Sequence, residues 1–202
     1  MSAAADMMDV APEDRLRADL YNFLGLALAR PADQILLDQM SELSGDDSDL
    51  GQAVAGLARV ARASKLKAVE REFNALFIGL GRGELLPYAS YYLTGFLNEK
   101  PLARLRSDMA AHQITRAENV FEPEDSMASL MEIMGGLIVG RFGQPASLEA
   151  QRMFFNNHIA PWATHFYSDL EAAKTSVLYG SVGAVGREFM VIEKEAFRMT
   201  AV

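Results

Sequence analysis

The chain has 202 residues, half of them hydrophobic and 23% charged, which suffices for one sizeable core and excludes disorder throughout. A formal net charge of −8 argues against nucleic acid as the main partner, because phosphate binding needs clustered Lys and Arg, and leaves a basic partner or plain solubility. With no cysteine, disulfides, zinc–thiolate sites, iron–sulfur ligation and cysteine nucleophiles are excluded, which suits the cytoplasm.

Residues Met1 to Pro12 carry Asp6 and Asp9 and no Lys or Arg, so they lack the positive start and apolar run of a secretory signal. They are expected to form a loose tail, 1–12, ahead of a single domain over 13–202. Leu16, Leu20, Phe23, Leu24, Ala27 and Leu28 recur at helical spacing, and Pro31 ends that helix. A second helix is expected from Asp33 to Leu43, followed by the polar loop Ser44-Gly45-Asp46-Asp47-Ser48. Two more should cover Leu50 to Ala63 and Lys65 to Ile78. Helical patterning then lapses from Gly79 to Asn98, a stretch rich in glycine and in Tyr88, Tyr91, Tyr92 and Phe96. Loops of that length and aromatic content are commonly functional, although the rings could simply pin the loop to the body.

Helix resumes from Pro101 to His112. After Glu122-Pro123-Glu124-Asp125-Ser126 comes an apolar helix from Met127 to Phe142, closed by Gly143-Gln144-Pro145. Its Met134–Gly140 stretch is too short to cross a bilayer, so no stable membrane insertion is expected. Ser147 to Asn157 and Pro161 to Lys174 are helical, with a break at Pro161. The final helix carries a stripe of Leu178, Val182, Val185, Phe189, Ile192 and Ala196. No alternating strand pattern and no internal repeat occurs. The expected fold is all-α, a single-domain bundle of about eight to ten helices.

Several residues invite chemistry. Gly79-Leu80-Gly81-Arg82-Gly83 looks superficially like a phosphate loop, but such loops follow a strand and open a helix, and here the glycines follow a helix. His158 and His165, with Asp169 four residues on, could ligate a metal from one face, yet Pro161 interrupts that face. No serine sits in a nucleophile elbow. Phe73, Leu76 and Phe77 form an apolar triplet at i, i+3, i+4, and Met127, Met131 and Met134 a stripe; both patterns suit a core, and methionines also suit an adaptable peptide groove. The acidic Glu122–Asp125 run suits a helix N-terminus without any ligand.

Taken in order, these segments resemble the TorD/DmsD family of redox-enzyme maturation chaperones. The family's aromatic-x-x-Leu-Phe motif corresponds to Phe73-Asn74-Ala75-Leu76-Phe77, its glycine-rich exit and Pro-aromatic pair to Gly79–Gly83 and Pro87-Tyr88, and its Glu-Pro-x-Asp-His motif to Glu122-Pro123-Glu124-Asp125-Ser126. His158-Ile159-Ala160-Pro161-Trp162 with Phe166 matches its His-x-x-Pro-Trp region; Leu178-Tyr179 and Phe189…Glu193 fit its last element, and Leu20-Tyr21 through Pro31 its opening helix. The resemblance spans Arg15 to Glu193. One departure is Ser126 in place of the family's histidine, which removes any role that needs a cationic imidazole.

The resemblance implies a chaperone rather than an enzyme, with no catalytic residue, no metal and no cofactor. Its partners would be the twin-arginine signal peptide and the body of a molybdopterin enzyme, of dimethyl sulfoxide or trimethylamine oxide reductase or formate dehydrogenase type. Such a peptide is basic at one end and apolar behind. Glu122, Glu124 and Asp125 would form an acidic rim, and Phe73, Leu76, Phe77, Pro87, Tyr88 and Met127 an apolar groove, with Pro123 and Ser126 completing the acidic turn. Two alternatives stay open: a nucleotide-regulated binding module, and a metal-dependent enzyme using His158, His165 and Asp169.

Overall fold

The computed structural model describes residues 10–116 and 122–200. The helical periodicities become ten α-helices among the described residues: α1 (Pro12–Ala29), α2 (Gln34–Glu42), α3 (Asp49–Ala63), α4 (Leu66–Phe73), α5 (Ala89–Thr94), α6 (Lys100–Ala111), α7 (Met127–Val139), α8 (Leu148–Phe154), α9 (Ala163–Ala172) and α10 (Leu178–Met199). No strand occurs among the described residues, and strand-like pairing is limited to an isolated antiparallel bridge between Tyr88 and Ser126. The fold is all-α.

Local chemistry explains most helix starts. Pro12, placed in the tail by the sequence, instead opens α1, where a missing N–H costs nothing. Asp33, Ser48, Ser126 and Ser147 cap α2, α3, α7 and α8, each accepting from a backbone N–H three residues on at 2.9–3.2 Å.

Helix α10 has no such residue of its own. Its N-terminus is capped from α4: Glu72 accepts from the amides of Val177 (2.7 Å), Tyr179 (2.8 Å) and Leu178 (3.2 Å). A carboxylate there also meets the positive end of the helix dipole. Glu72→Ala is therefore expected to lower stability by roughly 0.5–2 kcal/mol, the usual cost of a lost cap. Chemical denaturation followed by circular dichroism would measure it, and an unchanged midpoint would deny the cap its role.

Two helices do not end cleanly. Helix α4 runs on into a π-helical turn, Asn74–Ile78, and α8 into another, Phe155–Ile159. Single π turns of this kind are frequent at functional sites, and both coincide with motif segments. Gly79, with φ of +61°, stops the first.

Helix α1 lies along α7; α10 lies along α9 and α3, and α2 packs on α3. Small residues let the pairs approach. A Cβ on Gly135 would sit 2.7 Å from Asn22 Oδ1, and one on Gly186 would overlap the Tyr167 ring. This close approach decides which face of α1 turns inward. Ala18, Tyr21, Leu24, Gly25 and Leu28 are buried, whereas Leu16, about 140° around the helix from Tyr21, is 71% exposed. On α10 the expected stripe holds through Phe189 but then passes over Ile192, which is half exposed, to Glu193 and Phe197. Glu193 can enter the core because Arg17 meets it there, Nε to Oε1 and Nη2 to Oε2 at 2.8 Å each, with Tyr21 donating to Oε2 at 2.9 Å.

The aromatic segment after Gly79 is also more ordered than its composition suggests. Short α5 forms inside it, too brief to show a periodicity in the sequence and held by tertiary bonds described below.

Candidate functional site

Two short pieces of chain, far apart in sequence, are laced together beside α7. Ala89 N–H donates to the Asp125 carbonyl (2.9 Å), Met127 N–H to the Pro87 carbonyl (2.8 Å), and Ser90 N–H to the Asp125 carboxylate (2.8 Å). The Pro-aromatic pair and the acidic turn thus become neighbours. Ser126 completes the junction by capping α7 and donating to Ser129 Oγ at 2.9 Å.

Beside this junction lies a cleft of about 370 Å³. Phe73, Phe77, Pro87 and Tyr88 supply its apolar wall, together with Leu28, Ala29 and Ile78. Glu122, Ser126, Ser129 and Glu132 supply the polar wall, with Ala128 between them. A smaller hollow of about 220 Å³ adjoins it and shares Glu122, Ser129 and Glu132; Met109, Ile114, Arg116 and Glu124 also line it. The result is a trough, apolar at one side and lined along the other by carboxylates, with Arg116 among them in the smaller hollow.

The carboxylates differ in what already holds them. Glu122 accepts from the Tyr88 hydroxyl, and burial together with that bond pushes the Tyr88 phenol above its ordinary pKa. Glu132 is exposed and pairs loosely with Arg141 at 3.4 Å. Glu124 is engaged by Arg106 (2.8 Å) and, more distantly, Arg116 (3.9 Å). Burial opposes ionisation of Glu124, yet hydrogen bonding from Arg106 and the nearby positive charges outweigh it and hold its carboxyl below the usual range.

Of the residues nominated from sequence, Phe73, Phe77, Pro87, Tyr88, Glu122 and Ser126 line the cleft and Glu124 the adjoining hollow. Leu76 and Met127 do not face it; both are fully buried, as is the whole methionine stripe of α7. Pro123 contributes its carbonyl to the turn, accepting from Ser126 N–H at 3.2 Å. Asp125 is 1% exposed and so is not a rim residue: its carboxylate ties down α5. Glu132, Ala128 and Ser129 escaped notice as site residues, although their i, i+1, i+4 spacing opposite Met127, Met131 and Met134 marks them as the outer face of the same helix.

The rival constellations do not assemble. His158 Nε2 lies 2.6 Å from Asp108 Oδ2, His165 is exposed, and Asp169 accepts from the Tyr92 hydroxyl at 2.8 Å. Among the described residues no three His, Cys, Asp or Glu side chains are grouped to hold a metal ion. The glycines of 79–83 follow a π-helical turn and lead into irregular chain, without the strand before and helix directly after that a phosphate cradle uses. No helix among the described residues is long and apolar enough to cross a membrane.

Comparison with known proteins agrees with this architecture. Residues 44–168 match the family described as nitrate reductase delta subunit. The chaperone protein TorD of Vibrio atlanticus is 24% identical over 94% of this chain and 98% of its own length. TorD of Vibrio cholerae is 29% identical over 61% of this chain and 59% of its own, and TorD of Aliivibrio fischeri 32% over 47% and 48%. A solved chain from Archaeoglobus fulgidus, described as a redox enzyme maturation protein, shares the fold, with a TM-score of 0.55 over 87% of this chain and 94% of that one at 18% identity. The named relatives are chaperone proteins, which places the chain in a class of chaperones rather than enzymes. The chain belongs to the nitrate reductase delta subunit family, in its TorD/DmsD branch.

Proposed function

We propose that the protein is a cytoplasmic chaperone that receives the twin-arginine signal peptide of a molybdopterin oxidoreductase in the trough between α4 and α7, and holds the client until its cofactor is inserted before export. The observation that carries this reading is the pairing of an apolar wall (Phe73, Phe77, Pro87, Tyr88) with carboxylates at Glu122 and Glu132 along one cleft. A peptide with two arginines ahead of an apolar stretch matches that division. Arginine would gain charge-assisted bonds from the carboxylates, and the apolar stretch would cover the rings. Glu124 flanks the arginine end, while Asp125, Pro123, Leu76 and Met127 support the walls from beneath. The named TorD relatives support a chaperone role, and the client is of dimethyl sulfoxide or trimethylamine oxide reductase or formate dehydrogenase type.

Calorimetric titration with a client signal peptide, and with its Lys-Lys version, tests this. Replacing both Glu122→Gln and Glu132→Gln should weaken the Arg-Arg peptide about tenfold at low salt and less at high salt, because exposed charges are screened. Tyr88→Ala should cost roughly 1.5–3 kcal/mol, largely independent of salt, where the peptide covers the ring. If folded variants of both kinds bind like the parent, the trough is not the site; if no client peptide binds, the function is wrong.

A further inference from the structure

The flank of α4 that faces away from the trough carries the opposite charge. Between positions 59 and 71 stand Arg59, Arg62, Lys65, Lys67 and Arg71 against a single acid, Glu70, in a chain whose net charge is −8. All five cations are exposed, and among the described residues none of them is in an ion pair. Beside them is a cleft of about 490 Å³. One wall is α4 and the turn before it, where Lys65, Arg71 and Glu72 stand among Ala63, Ser64, Ala68, Val69 and Ala75; the other is the connection into α10, with Thr175 and Val177.

That second wall is held in place by carboxylates. Glu72 binds the amides of 177–179, and Glu84 accepts from Lys174 N–H (2.6 Å) and Thr175 Oγ1 (2.8 Å). Because Glu72 is occupied by the start of α10, its charge is offset by the helix N-terminus, and Lys65 and Arg71 set the sign of the cleft. The floor is small and apolar, and Val177 at the lip is 65% exposed. An exposed apolar surface whose outward-facing cations, Lys65 and Arg71, have no ion-pair partner among the described residues, while its one carboxylate, Glu72, is taken up by amides, selects a partner of negative charge.

We infer that this cleft is a second docking site, for an acidic protein segment bearing small apolar side chains. It lies on α4, as the trough does, but takes the complementary chemistry, so a client with a basic leader and an acidic stretch in its body could be held at two points. The inference does not depend on the twin-arginine reading, since it rests on the charge and shape of the other flank.

The probe is a short fluorescein-labelled peptide of Glu, Ala and Val, compared by anisotropy with a Glu–Ser and a Lys–Val peptide. The full chain should bind the first and neither control, more weakly as salt rises. The double variant Lys65→Glu, Arg71→Glu should lose about tenfold in that affinity while keeping its client-peptide affinity within about twofold, because the sites are on separate flanks. Hydrogen exchange on the unmodified protein should show protection by the probe over 63–75 and 174–177, a readout that needs no variant. Equal binding of the Glu–Ser peptide, indifference to the charge reversal, or protection elsewhere would each overturn the proposal. So would binding of phosphatidylglycerol vesicles through these cations with no binding of the acidic peptide. A failure confined to the client signal peptide would count against the trough and leave this site standing.

Discussion

Glu193→Ala is expected to lower the unfolding free energy by about 3–5 kcal/mol, the range seen when one partner of a buried ion pair is removed. Glu193 is 1% exposed, and its two oxygens bind Arg17 and the Tyr21 hydroxyl. Without it, Arg17 keeps Asp14 at 2.6 Å and its place over the Phe197 ring, but the fully buried Tyr21 hydroxyl has no acceptor. An unsatisfied buried hydroxyl alone costs roughly 1–3 kcal/mol. The network ties α1 to α10, so its loss should be global rather than a local fraying. Urea denaturation monitored by circular dichroism gives the number. A loss below about 1 kcal/mol would mean that water replaces the carboxylate at little cost. The combined change Arg17→Met, Glu193→Leu, Tyr21→Phe should recover most of the stability, because apolar groups of similar volume commonly replace a buried ion pair without penalty.

Asp125→Ala should be the most damaging change at the site, and for an indirect reason. The Asp125 carboxylate holds the Ser90 amide at the start of α5, within the segment that presents Pro87 and Tyr88. Removing a hydrogen bond to a charged group should cost roughly 1.5–3 kcal/mol of stability. Peptide affinity should fall too, since the Tyr88 wall loses its anchor, but with the same salt dependence as the parent. Glu122→Gln should do the reverse, leaving stability nearly unchanged and flattening the salt dependence. Denaturation and titration of the two variants side by side check this. An Asp125→Ala variant that is fully stable and binds with a reduced salt slope would make Asp125 a direct peptide contact.

Most of the helices were legible because amphipathic spacing and capping are local. Asp33 and Ser48 announce α2 and α3, and the alternating signal of a strand is nowhere sustained. The site was legible in part. The Phe73–Phe77 motif, the Pro-aromatic pair and the acidic turn were recognisable as segments, and the trough joins members of all three. Sequence could not rank the three acids of the rim, since Glu122, Glu124 and Asp125 look alike in a row. Only backbone amides delivered from Ala89 and Ser90 turn Asp125 inward and leave Glu122 facing the cleft.

What the sequence by itself determined is therefore the class of fold, through spacing along the chain, while resemblance to known motifs supplied the family and the segments of the candidate site. Tertiary structure alone decided which face of α1 is buried, since that depends on how closely Gly25 and Gly135 let α1 and α7 approach. It also decided that a glutamate could sit in the core of α10, because its arginine is 176 residues away. And it set Glu132 on the same cleft as Tyr88, and Lys65 and Arg71 on a separate one, since charge acts through distance in space rather than along the chain.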